Sequence, residues 1–107
     1  MIFIVVKFQV KAEHVEEWPE RVAAFTEATR AEAGNLWFEW SRSLEEQDTY
    51  VLVEAFRDGA GEAHVNSDHF RAGLAAMQPL LRRTPEIVST TIEGATGWSA
   101  MGELVVD

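Results

Sequence analysis

Residues 2–10 alternate as a strand should, with Ile2, Ile4, Val6, Phe8 and Val10 on one face and Phe3, Val5, Lys7 and Gln9 on the other. The second face is nevertheless apolar near its start, because Phe3 and Val5 stand on it. The same doubling recurs in residues 35–43, where Leu36, Phe38 and Trp40 share a face while Trp37 stands opposite. Residues 49–57 are strand-like as well, and the polar link Leu44-Glu45-Glu46-Gln47-Asp48 joins the two segments as a hairpin. Strands of this kind leave neither face to water. Whatever this chain folds into must cover both sides of its sheet.

Between the first strand and the hairpin the period changes. Val15, Trp18, Val22, Phe25 and Thr29 fall at spacings of three and four, with Glu16, Glu17, Glu20, Arg21, Glu27 and Arg30 between them. That is an amphipathic helix over residues 12–33, starting or breaking near Trp18 because Pro19 belongs in a first turn, and stopping at Gly34. Asp58-Gly59-Ala60-Gly61 is a turn, and a second helical pattern runs from Glu62 to about Arg83. It has a joint at Asn66-Ser67-Asp68, where Ser67 suits an N-cap, and Pro79 ends or kinks it. Residues 86–93 are β-branched and strand-like, 94–102 form a loop, and Glu103-Leu104-Val105-Val106 has the composition of a last short strand.

The order strand, helix, strand, strand, helix, strand is that of two split β-α-β units sharing one antiparallel sheet, the α+β ferredoxin-like sandwich. Its helices cover one sheet face only. A second copy packed face to face covers the other, so the expectation is a homodimer. Four or five side chains of Val or Phe size buried there contribute roughly 1.5–3 kcal/mol each before association costs. With 107 residues and no linker or repeat, the chain is read as a single domain, its core over about 2–93 and an extension over 94–107.

Charge and composition narrow the partners. Nine Lys/Arg against eighteen Asp/Glu leave a net charge of −9, which opposes binding to nucleic acid or to anionic membrane. The absence of cysteine removes disulfides, thiolate metal sites and cysteine nucleophiles. The apolar run at residues 1–6 is too short for a signal peptide or a membrane span, so a cytoplasmic location is expected.

Chemistry-bearing residues concentrate in His64-Val65-Asn66-Ser67-Asp68-His69-Phe70. Two histidines five apart do not share one helix face and lack the His-x-x-x-His spacing, so metal binding gets no support there. A neutral imidazole acts as a general base near neutral pH. The plainer alternative has His64 and Asn66 capping the helix joint and His69 exposed. The aromatics Trp37, Phe38, Trp40, Tyr50, Phe56 and Phe70 either line a slot for a flat ligand or fill the core. Trp98, in a Gly-rich stretch, is placed as a lid over a pocket or a cover for the dimer partner. Glu54, mid-strand among apolar neighbours, needs a partner or a raised pKa, and Arg42 or another basic group at a sheet edge is the simplest partner. No Gly-x-Gly-x-x-Gly, phosphate-binding loop or Gly-x-Ser-x-Gly is present.

Glu32-Ala33-Gly34-Asn35-Leu36-Trp37-Phe38-Glu39, Ser43-Leu44-Glu45, Tyr50-Val51-Leu52-Val53-Glu54-Ala55-Phe56 and His64-Val65-Asn66-Ser67-Asp68-His69-Phe70, in that order and spacing, resemble the antibiotic biosynthesis monooxygenase domain. The resemblance implies a dimeric α+β barrel made of two ferredoxin-like sheets. It also implies a cofactor-independent monooxygenase that oxidises a small aromatic quinol or anthrone with molecular oxygen, with neither cofactor nor metal. In the matching pattern His64 is a recurrent histidine, His69-Phe70 a recurrent pair and Phe38 a usual aromatic position, whereas Phe56 stands where tryptophan is common. On that basis His64 is the base or phenolate partner and Asn66 a hydrogen-bond donor, both catalytic. Phe38, His69, Phe70 and Met77 contact substrate. The same barrel also serves isomerases of small sugar-like signalling compounds, and a non-catalytic dimer that binds a small hydrophobic molecule is the remaining alternative. The haem-degrading branch is disfavoured, since strand one has no asparagine and no histidine lies late in the second long helix.

Overall fold

The computed structural model describes residues 1–107. Its strands are β1 (Ile2–Gln9), β2 (Asn35–Arg42), β3 (Thr49–Phe56) and β4 (Glu86–Thr91), and its α-helices are α1 (Trp18–Arg21), α2 (Ala23–Arg30), α3 (Gly61–Val65) and α4 (Asp68–Met77). The strands form one open antiparallel sheet in the order β2-β3-β1-β4. This is the expected ferredoxin-like arrangement. One chain does not close a barrel.

Register decides which side chains meet. Phe38 of β2, Glu54 of β3 and Ile4 of β1 lie opposite one another, as do Trp40, Leu52 and Val6. With Phe8, Tyr50 and Phe56 they face the helices, and Val6, Phe8, Val10, Trp18, Val22, Phe25, Phe38, Leu52 and Met77 form one continuous core. The other face carries Phe3, Val5, Val51, Val53, Ala55 and Trp37, with Val88 of β4 still 69% exposed. No helix covers that side.

The first helical stretch is three pieces rather than one: a 3-10 turn at Ala12–His14, then α1 and α2, separated at Val22, whose φ and ψ of −98° and 2° interrupt the ladder. Pro19 stands in the first turn of α1, where its missing N–H costs nothing. Gly34 follows α2 for a reason of space, not of a left-handed cap, since a Cβ there would lie 2.2 Å from the Cβ of Ala60. The second stretch breaks at the joint the sequence marks. Ser67 caps α4 by accepting from the Phe70 N–H at 3.1 Å, and Pro79 falls in a 3-10 turn that ends the helical run at Leu80.

One expectation fails at the C-terminal end, and another is narrowed. Residues 103–106 form no strand, and Leu104, Val105 and Val106 stay 69–85% exposed, pairing with neither open edge of the sheet. Of the two places expected for Trp98, a lid over the helix-side residues is not seen, and a cover for a dimer partner remains an expectation. Its ring packs on Trp37 with centroids 5.1 Å apart, which puts it on the uncovered sheet face.

Candidate functional site

Four polar side chains from four segments converge between sheet and helices. Glu32 comes from the turn after α2, Glu54 from the centre of β3, His64 from α3 and His69 from the first turn of α4. The α3–α4 joint makes this possible. The Ser67 hydroxyl donates to the His64 carbonyl at 2.6 Å while accepting from the Phe70 N–H, so one side chain fixes both helix ends. Because the helix breaks between them, the spacing of five no longer separates the histidines. Their ring centroids lie 6.1 Å apart.

Glu32 Oε2 is the hub. It lies 2.7 Å from His64 Nδ1 and 2.5 Å from His69 Nε2. On the other side of the His64 ring, Nε2 lies 3.9 Å from Glu54 Oε1, beyond hydrogen-bond length. His64 is 4% exposed and Glu54 5%, whereas the side chain of His69 reaches 27%. Burial, with the charge of Glu32 as a second cause, pushes the Glu54 carboxyl up to about 7. Arg42 is not its partner: that guanidinium pairs with Glu16 at 2.5 Å on the surface, since Arg42 lies opposite Tyr50 at the far end of the strand pair.

Aromatic rings wall the cluster. Phe56 lies 4.7 Å from the His64 ring, Phe70 5.0 Å, Phe25 5.9 Å and Phe38 6.4 Å, centroid to centroid. Phe56, the departure from the resembled pattern, is thus the nearest ring to His64. Arg30 holds this wall in place by donating from Nε and Nη2 to the Phe38 carbonyl, at 3.0 and 2.8 Å. Beside the cluster is a groove of about 270 Å³ between α2 and α4, lined by Phe25, His69, Ala72 and Gly73 among others. Gly73 is required there, because a Cβ would sit 2.6 Å from the Phe25 ring.

Of the residues singled out in the sequence, His64, His69, Phe38 and Phe70 come together. Asn66 does not join them. It is exposed, its N–H closes α3 on the Glu62 carbonyl, its own carbonyl accepts from Arg71, and its side chain makes no hydrogen bond to any of the four. Met77 lies eight residues beyond His69, about 12 Å along α4. It is part of the core beside Phe8, so it does not wall this site. Glu32 is the residue that sequence reasoning passes over, because its role depends on a turn and a helix joint meeting in space. The sequence signal is its place at the start of the Glu32–Glu39 stretch that carries the family resemblance, just ahead of Gly34.

The histidine and carboxylate atoms of Glu32, His64 and His69 lie within 4.8 Å of one another, near enough to converge on one cation. Both ring nitrogens already face a single carboxylate oxygen at hydrogen-bond distance, so protons satisfy the arrangement. The helix break between α3 and α4 brings both histidines to one carboxylate despite their spacing of five. The hydrogen bonds suit the same cluster to acid–base chemistry.

An open ferredoxin-like α+β sheet carrying a buried His–Glu cluster in an aromatic shell is the class that this architecture defines. Residues 1–76 match the family model described as antibiotic biosynthesis monooxygenase, and the chain belongs to that family. The Bacillus subtilis (strain 168) protein named "Putative monooxygenase YcnE" is 28% identical over 93 residues, spanning 86% of this chain and 98% of its own. A conserved protein of Methanosarcina mazei Go1 superposes with a TM-score of 0.77 at 28% identity, covering 83% of this chain and 89% of its own. A Caulobacter crescentus CB15 structure described as a putative antibiotic biosynthesis monooxygenase does so with a TM-score of 0.78 at 25% identity, covering 86% and 90%. The family supports a monooxygenase-like function in general. No helix is long and apolar enough to cross a membrane.

Proposed function

We propose that the chain is a cofactor-independent monooxygenase of a small aromatic quinol or anthrone. The observation that carries this reading is His64, a buried imidazole whose Nε2 has no hydrogen-bond partner, enclosed by four phenyl rings. Such a substrate needs three things: a base for its acidic proton, a dry apolar slot for its ring, and a donor for the anion formed. His64 Nε2 takes the proton. Phe25, Phe38, Phe56 and Phe70 supply the slot. Glu54, whose carboxyl titrates near 7, supplies an O–H when protonated. Substrate enters from the groove between α2 and α4, where Phe25 must swing aside and His69 lines the mouth.

The deprotonated ring then reduces oxygen itself. The substrate loses two hydrogens and gains one oxygen atom, the second oxygen leaves as water, and all four electrons come from the substrate. No external reductant is needed. The working unit in this proposal is a homodimer whose two uncovered sheet faces pack together as an α+β barrel.

Oxygen uptake with a panel of hydroquinones and anthrones, under a chelator and with no added cofactor, tests the reading. Saturable uptake is expected, unchanged by the chelator and reduced at least 10²-fold in His64→Ala. Uptake no faster than the buffer blank across the panel would contradict it and leave isomerisation or simple binding.

A further inference from the structure

We infer that Glu32, clamped by His69, is the positioning carboxylate that fixes which nitrogen of His64 is basic. An imidazole buried to 4% exposure has two inequivalent nitrogens, and the group facing each one selects the tautomer. Nδ1 lies 2.7 Å from Glu32 Oε2. A carboxylate accepts, so Nδ1 carries the proton and donates. Nε2 is left with its lone pair. Glu54, at 3.9 Å, and the phenyl rings are what faces it.

The second contact of Glu32 explains how the carboxylate is held. His69 Nε2 donates to the same oxygen at 2.5 Å from the first turn of α4, on the half-exposed side of the cluster. Two donors on one oxygen remove the rotational freedom a turn residue would otherwise keep. When His64 takes a second proton, the imidazolium sits in an apolar shell where an unpaired charge is costly. The adjacent Glu32 carboxylate compensates it. The groups facing His64 are Glu32, Glu54 and His69, with no lysine or arginine among its contacts. Glu32 meets the His64 ring at Nδ1, away from the free Nε2, so it acts through the ring. A carboxylate behind a histidine base is worth orders of magnitude in turnover when its loss changes the tautomer.

The inference rests on the proposed function only in calling His64 a base, and its first test needs no substrate. Long-range proton–nitrogen NMR of the histidine rings, on 15N-labelled protein at pH 8, reads the tautomer directly. The wild type is expected to show His64 protonated at Nδ1 and bare at Nε2. In Glu32→Ala the ring should revert to the Nε2–H form that a free imidazole side chain prefers. In the milder variant His69→Phe, His64 should become a mixture of both tautomers. With an active substrate, Glu32→Ala should lower kcat by about 10²–10⁴-fold, with KM within threefold, and Glu32→Asp should recover part of the loss. Wild-type His64 protonated at Nε2, or a tautomer unchanged in both Glu32→Ala and His69→Phe, would overturn the inference. If Glu32→Ala does not fold, the His69→Phe spectrum decides. A wild type that shows the Nδ1–H tautomer but consumes no oxygen would sink the oxygenase reading and leave the positioning role standing.

Discussion

Glu54 has its carboxyl in the middle of β3, 5% exposed, with the Glu32 carboxylate as a second source of strain on its ionised form. Its folded pKa, about 7, lies above the ordinary 4.5, so the folded state holds the proton more tightly than the unfolded state. The stability tied to this group is therefore fully present below about pH 4.5 and is lost as pH rises through 7. At 1.36 kcal/mol per pKa unit the loss is on the order of 3 kcal/mol. Glu54→Gln stays neutral at every pH and escapes it. Urea melts should show the variant gaining stability relative to wild type between pH 5 and pH 8, and a difference independent of pH would contradict the assignment. At this scale the sequence is legible in part. His64, His69, Phe38 and Phe70 stand out as a compact motif or a marked position. The partnership of Glu54 is not readable, because choosing between Arg42 and His64 requires the strand register. Nor is Glu32, whose partners are 32 and 37 residues away.

The elements are legible where period and caps agree, and less so where a helix must bend. The four strands and the Ser67 joint follow from alternation and an N-cap residue. Pro19 marks the interruption of the first helical stretch without showing that it divides into three pieces. Residues 103–106 have strand composition but pair with neither open edge of the sheet. Composition alone does not make a ladder. Two substitutions probe the contacts that set the helix positions. Gly34→Ala drives a methyl against Ala60 at the start of β2 and should cost about 1–3 kcal/mol in thermal or urea unfolding. Ser67→Ala removes the α4 cap and the bond to the His64 carbonyl, at a cost of about 1 kcal/mol. It should also lower oxygen uptake, since His64 and His69 then lose their shared anchor. Loss of stability with unchanged kcat would detach the joint from the site.

Over the whole molecule, the two-faced strands that constrain the sequence reading reappear as a sheet with one face buried under helices and one carrying Phe3, Val5, Val53 and Trp37. Val5 and Val53 are direct register partners at the centre of that face. If two copies pack there, sedimentation should give a species of twice the 12.0 kDa chain mass, and Val53→Glu should convert it to monomer. A wild type that sediments at 12.0 kDa at micromolar concentration would contradict the dimer. The central claim is chemical and is tested most directly by labelled oxygen. Turnover of an anthrone or hydroquinone under ¹⁸O₂, with chelator present and no cofactor, should place one heavy oxygen in the product by mass spectrometry, and His64→Ala should abolish it. Product formed without label, or labelled equally by the wild type and His64→Ala, would contradict a monooxygenase driven by this buried base.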